Sequence, residues 1–133
     1  MKKINYLIFY WLPTFIWMAI IFYFSSRQSV SVSSDYYLNF IFFKFLHLSE
    51  YAILYFLIYR SIASLKNKFF NQANKYYYPI LISILYAVSD EIHQLFTPTR
   101  EGKIRDILID IAGILIMYTV IKRYKSLFKK LNL

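Results

Sequence analysis

The chain of 133 residues contains no cysteine, which excludes disulfides, thiolate metal sites and a cysteine nucleophile. Charge is scarce as well: Asp, Glu, Lys and Arg make up 17% of the chain and hydrophobic residues 59%, against about a quarter and about half in ordinary soluble domains. A soluble globular domain is therefore disfavoured, and a bilayer is the expected solvent. No charge at all falls between Ile4 and Phe24. Acidic residues are few, 7 against 16 Lys and Arg, which leaves a formal net charge of +9. Such an excess would suit nucleic acid. However, no polar segment interleaves a basic stripe with stacking aromatics, and the basic residues lie in the gaps between apolar runs. Nucleic acid is not an expected partner.

What the chain has in plenty is aromatic and aliphatic side chains in long runs. Aromatics reach 22%, with 14 Tyr and 13 Phe, rings that gather where an apolar body meets the headgroup layer. Crossing a bilayer takes about 20 largely apolar residues in a helix. Four runs meet this need, at about residues 4–24, 40–63, 76–96 and 104–121. The expected fold is thus an all-α integral membrane bundle of four transmembrane helices forming a single domain, residues 1–133. The basic start at Lys2 and Lys3 resembles a signal peptide, but the apolar run is long and no clear Ala-x-Ala site follows, so an uncleaved first span is expected. The Ser-rich residues 25–39 read as a loop, and residues 66–75 as a polar connector. Thr97-Pro98-Thr99 breaks the third run. The fourth contains an apolar stretch, 111–121, of only half the crossing length, so its helix must reach back to Ile104 and carry Asp106 and Asp110 inward.

Lys and Arg in the connections set orientation. Lys2, Lys3, Arg60, Lys66, Lys68, Lys75 and the basic tail from Lys122 to Lys130 collect on one side, against Arg27, Arg100, Lys103 and Arg105 on the other. The richer side is expected to be cytoplasmic, with both termini inside a multi-pass protein of the cell membrane.

Ionisable groups inside spans are costly and mark functional sites by default. Here they share one depth: His47 lies about 10 Å into the second run, and Asp90 and Asp110 fall at similar depths in the third and fourth. Lys44, His47, Glu50 and Tyr51 fall within about a third of one helix's circumference, and Asp106, Asp110 and Gly113 form a stripe on another. Gly113 suits close approach of a neighbouring helix. Asp90, Glu91 and Gln94 group together, whereas His93 points away and is left out of the cluster. Three uses remain open. Acid/base chemistry would fall to His47, Asp90 or Glu91. A divalent cation would be held by Asp106 and Asp110, joined by Asp90 or Glu91 and by His47. Anion recognition would use Lys44, Arg100, Lys103 and Arg105, with Tyr51 and Gln94 beside them. Against all three stands a bland reading, in which Arg100 or Lys44 pairs with Asp90 or Asp106 and the cluster fixes helix register.

Ser89-Asp90-Glu91-Ile92-His93-Gln94-Leu95-Phe96, then Pro98-Thr99-Arg100, then Asp106-Ile107-Leu108-Ile109-Asp110-Ile111-Ala112-Gly113 resembles the signature of the VanZ-like family. Lys44, His47, Tyr51 and Leu54 resemble its second-helix pattern. The chain departs from the family in having Thr99 where Gly is usual before the loop arginine, Asp110 where Asn is usual, and His93 at a variable position. The resemblance implies a small bacterial membrane protein whose founding relative is linked to teicoplanin resistance, with Lys44, His47, Tyr51, Asp90, Glu91, Gln94, Arg100, Asp106 and Asp110 at a shared site. It implies no particular reaction, so enzyme status stays open. The first expectation is an outer-leaflet site for an anionic cell-envelope lipid or precursor; the alternative is a structural, accessory or permeation element with mutually paired charges. Four short spans enclose little volume, which makes a homodimer or a larger membrane partner an expectation too.

Overall fold

The computed structural model describes residues 3–28, 31, 34–65 and 73–130. Lys2, Lys66, Lys68 and most of the expected connector lie outside them. The described residues are all-helical: α1 (Lys3–Ser25), α2 (Tyr36–Ser64), α3 (Asn74–Gln94), α4 (Ile104–Arg123) and a short α5 (Lys125–Lys130). The long helices have 23, 29, 21 and 20 residues, about 30 Å or more each at 1.5 Å per residue. α1 and α2 are long and apolar enough to cross a membrane. α3 and α4 match them roughly in length but carry carboxylates and the basic last turn.

Helix ends follow local chemistry. α2 starts at Tyr36, before the expected Phe40, because Asp35 caps it: its carboxylate accepts the amides of Tyr37 at 2.7 Å and Leu38 at 3.2 Å. α3 also starts earlier than expected, at Asn74, and ends at Gln94 rather than Phe96. There the chain turns through Thr97-Pro98-Thr99-Arg100, closed by the Arg100 amide donating to the Thr97 carbonyl at 3.1 Å. Proline at the second position and a positive φ at the third are what a type II turn demands. Thr99 supplies that positive φ, 65°, although it is β-branched.

α2 is the central helix, packing against α1, α3 and α4. Its Tyr51, Leu54, Tyr55, Ile58 and Ile62 recur at helical spacing and form the core with Ile21 of α1, Ala87 of α3 and Ile114 and Ile121 of α4. Tyrosines dominate one end of this core. Tyr55 and Tyr76 each stack on Tyr59, and both meet Tyr118 edge-on, with ring centroids 5.3–6.5 Å apart. Several tyrosines therefore serve as interior packing.

Polar contacts fasten α1. The Ser61 hydroxyl lies 2.7 Å from the Tyr10 carbonyl and 2.9 Å from the Thr14 hydroxyl. Trp17 Nε1 donates to the Glu50 carbonyl at 3.0 Å, and the Tyr86 hydroxyl donates to the Met18 carbonyl at 2.7 Å. The outward faces are apolar: Phe9, Leu12, Phe15 and Phe22 of α1, Leu85 and Ile92 of α3, and Leu108 and Ile116 of α4 are all exposed. The buried set includes Asp90, Glu91, Gln94, Asp106 and Asp110, so in this half of the bundle hydrophobic groups face out and charge faces in.

Candidate functional site

The polar cluster forms where the N-terminal half of α2, the end of α3 and the start of α4 converge. One-residue-per-turn spacing puts Lys44 and His47 of α2 against α4. Lys44 Nζ donates to Asp106 Oδ1 at 2.5 Å, with Arg105 Nε 3.7 Å from the same oxygen. One turn further in, His47 Nδ1 stands 3.3 Å from Asp110 Oδ1. Asp106 sits in the first turn of α4, where the helix dipole favours a negative charge.

The close approach of α2 and α4 rests on Gly113. A Cβ there would stand 2.2 Å from the Leu48 carbonyl oxygen, so any side chain would force the helices apart. Gly102 plays the same part in the loop, since a Cβ on it would meet the Glu91 carbonyl at 2.4 Å. That approach lets the Lys103 amide donate to Glu91 Oε2 at 2.8 Å. α4 lacks a capping side chain of its own at Lys103; a carboxylate from α3 does the work instead.

The remaining groups fall around this core. Gln94 Nε2 donates to Asp90 Oδ2 at 3.1 Å within α3. Arg100 reaches back to α1, its Nε donating to the Arg27 carbonyl at 2.8 Å and its second guanidinium nitrogen to the Phe24 carbonyl at 3.1 Å. Glu50 faces the same space as Asp90. Tyr51 is fully buried and lines neither of the cavities described below. His93 lies outside the cluster, stacked on Phe22 at 4.6 Å with its Nε2 2.9 Å from the Ser26 hydroxyl. Outside the bundle, Lys103 Nζ pairs with Glu101 at 2.5 Å. Its hydrogen bond holds the exposed Glu101 carboxyl below the usual carboxylate range, and Glu101 raises the ammonium in return.

Asp106 is engaged by Lys44 and Arg105. Among the described residues, ligand atoms of His47, Glu91 and Asp110 stand together, all within 4.8 Å of one another.

Two cavities meet at the cluster. The first, about 510 Å³, has apolar walls from Ile21, Phe24, Phe42, Phe43 and Leu46, with Arg27, Glu50 and Asp90 among its polar lining residues. The second, about 550 Å³, presents Lys44, Arg100, Lys103 and Arg105 against Asp106 and Glu101. Phe43, His47, Gln94 and Arg100 line both. Lys44, His47, Glu50, Asp90 and Asp106 were visible in the sequence as ionisable groups inside apolar runs, and Arg100, Lys103 and Arg105 as cations on one side of them; Glu101 was not singled out. Phe42, Phe43 and Leu46 were not visible either, because in a chain this rich in apolar residues nothing local separates a cavity wall from a lipid-facing ring.

The described residues thus form a helical bundle with two helices long and apolar enough to cross a membrane, exposed apolar side chains and a charged pocket at one end. The chain belongs to the VanZ/LLP1 family, whose model matches residues 9–128. No curated protein and no solved structure matches it.

Proposed function

We propose that this VanZ-like protein is a multi-pass membrane protein whose outer-leaflet pocket binds an anionic cell-envelope lipid or lipid-linked precursor. One observation carries the reading: a chamber with mainly apolar walls adjoins a basic vestibule, and the two share Phe43, His47, Gln94 and Arg100. An acyl or prenyl chain has the chemistry of the first and a phosphate headgroup that of the second. The basic vestibule holds four cations against two carboxylates, which favours an anion.

In this reading all four long helices span the bilayer, the loop from Leu95 to Lys103 faces outward, and both termini are cytoplasmic. The polar groups of α3 and α4 are tolerated because they face the pocket and one another, while Phe9, Phe15, Leu85 and Leu108 meet lipid. His47 borders both cavities and is the acid/base candidate for any chemistry on the bound lipid. Asp90 has one oxygen held by Gln94 and stands next in line. Glu91 accepts the Lys103 amide through Oε2 and so helps to place α4. The family link to glycopeptides of the teicoplanin type then makes occupancy of this lipid site the step through which drug susceptibility would change.

A second reading is favoured by the Lys44–Asp106 pair and by Arg100, whose donors engage backbone carbonyls: the charges assemble the bundle, and the protein is an accessory or structural subunit. Complementation of a deletion strain separates the two. Arg105→Ala and His47→Gln, produced at wild-type abundance by membrane blot, are expected to leave teicoplanin and envelope-stress susceptibility at the deletion level. Full complementation by both would leave only the structural reading.

A further inference from the structure

We propose that His47, Glu91 and Asp110 form a binding site for a divalent transition-metal ion of the zinc or manganese kind. Each comes from a different helix, α2, α3 and α4, and one ligand atom from each lies within 4.8 Å of the other two. Ligands on one such ion at about 2.1 Å stand roughly 3 to 4 Å apart, so side-chain movements of about an ångström complete the set.

The atoms available are the right ones. Asp110 is completely buried, and among the described residues neither of its carboxylate oxygens has a hydrogen-bond partner beyond the His47 contact at Oδ1. Glu91 is 4% exposed; Oε2 accepts the Lys103 amide, and Oε1 has no hydrogen-bond partner among the described residues. The hydrogen bond to Oε2 fixes the carboxylate and leaves its other oxygen for a ligand, as outer-shell contacts do at metal sites. His47 Nδ1 stands 3.3 Å from Asp110 without hydrogen-bonding geometry.

Charge balance points the same way. Lys44 and Arg105 lie against Asp106, and Arg100 is directed to α1. Glu91 and Asp110 are thus left with His47 alone as a possible cationic side-chain partner among those contacts, and two further carboxyl groups, Asp90 and Glu50, line the same cavity as His47. Two carboxylates buried in a low-dielectric interior with so little compensation are costly, and a divalent ion offsets both at once. One imidazole with two carboxylates suits zinc or manganese; calcium and magnesium favour all-oxygen sets. An ion so held would lie at the wall common to the two cavities, because His47 lines both.

The test uses the full chain purified in detergent from chelator-treated membranes, incubated with Zn²⁺, desalted and assayed by elemental analysis. Wild type is expected to retain one zinc per chain. Glu91→Gln and Asp110→Asn should lose it, with affinity falling by more than about tenfold, whereas Glu101→Gln, at an exposed carboxylate, should keep it. Because either buried variant could misfold, a second measurement uses folded wild type: bound Mn²⁺ should show electron-spin-echo coupling to one imidazole nitrogen. With only two histidines in the chain, that coupling should persist in His93→Gln and vanish in His47→Gln. Wild type that retains no zinc, retention unchanged in both carboxylate variants, or bound Mn²⁺ without nitrogen coupling would each overturn the site. None of these outcomes touches lipid binding, which is measured separately.

Discussion

Lys44 and Asp106 show what a single pair contributes in this setting. Both are largely buried, their side chains 17% and 8% exposed, so removing one leaves the other's charge with poor solvation. Lys44→Ala is expected to destabilise the detergent-solubilised protein by about 3 kcal/mol in thermal unfolding, whereas Lys44→Met combined with Asp106→Leu should be close to neutral. Similar losses in the single and double variants would mean that packing, not charge, decides. Thr99 offers a prediction of opposite sign. Its left-handed φ of 65° costs a β-branched residue about 1 kcal/mol or more, and the family usually places glycine there. Thr99→Gly should therefore raise the melting temperature; a lower one would mean that the threonine side chain contributes more than its backbone strain costs. At this scale the sequence was informative where charge was out of place: His47, Asp90, Glu91, Asp106 and Asp110 are conspicuous because apolar runs surround them. The individual pairings were not legible. Helical phase says which side chains share a face, but which of Asp106 and Asp110 meets Lys44 depends on the axial offset between two helices.

Between elements, the α2–α4 contact decides whether the site exists. Gly113→Ala brings a Cβ to within 2.2 Å of the Leu48 carbonyl oxygen, a backbone atom that moves only with its helix. A loss of about 2 kcal/mol is expected in thermal unfolding, together with weaker binding at the pocket; wild-type stability would show that the helices stand further apart. The role of Gly113 as a small residue at a helix interface was readable from its place in line with Asp106 and Asp110. The end of α2 was not, because aromatic Tyr36 and Tyr37 look like loop or interface residues until Asp35 is recognised as a cap. The link from Glu91 to the Lys103 amide was equally hidden, since it joins a side chain to a backbone group 12 residues away.

Over the whole molecule, the helical class followed from run length, and the buried charge at one end of the bundle from ionisable residues placed inside apolar runs, while the other part of the interior is an ordinary apolar core. Tyrosine content left packing and interfacial roles open, and Tyr51 and Tyr55 are buried in the core, because hydropathy does not distinguish an aromatic that packs from one that anchors. The absence of native cysteine makes the proposed topology directly testable. In intact cells a membrane-impermeant maleimide is expected to label Glu101→Cys but to label Ser126→Cys only after permeabilisation; the reverse pattern would turn the protein over and place the pocket at the inner leaflet. The most direct test of the central claim is native mass spectrometry of the detergent-solubilised protein titrated with phosphatidylglycerol and with phosphatidylcholine of identical chains. Phosphatidylglycerol is expected to be retained at least about tenfold more tightly, about 1.4 kcal/mol, with that preference lost in the Lys103→Ala, Arg105→Ala double variant and both lipids weakened by Leu46→Trp, which fills the chamber. Equal retention of the two lipids, or a preference that survives both changes, would contradict the two-part pocket.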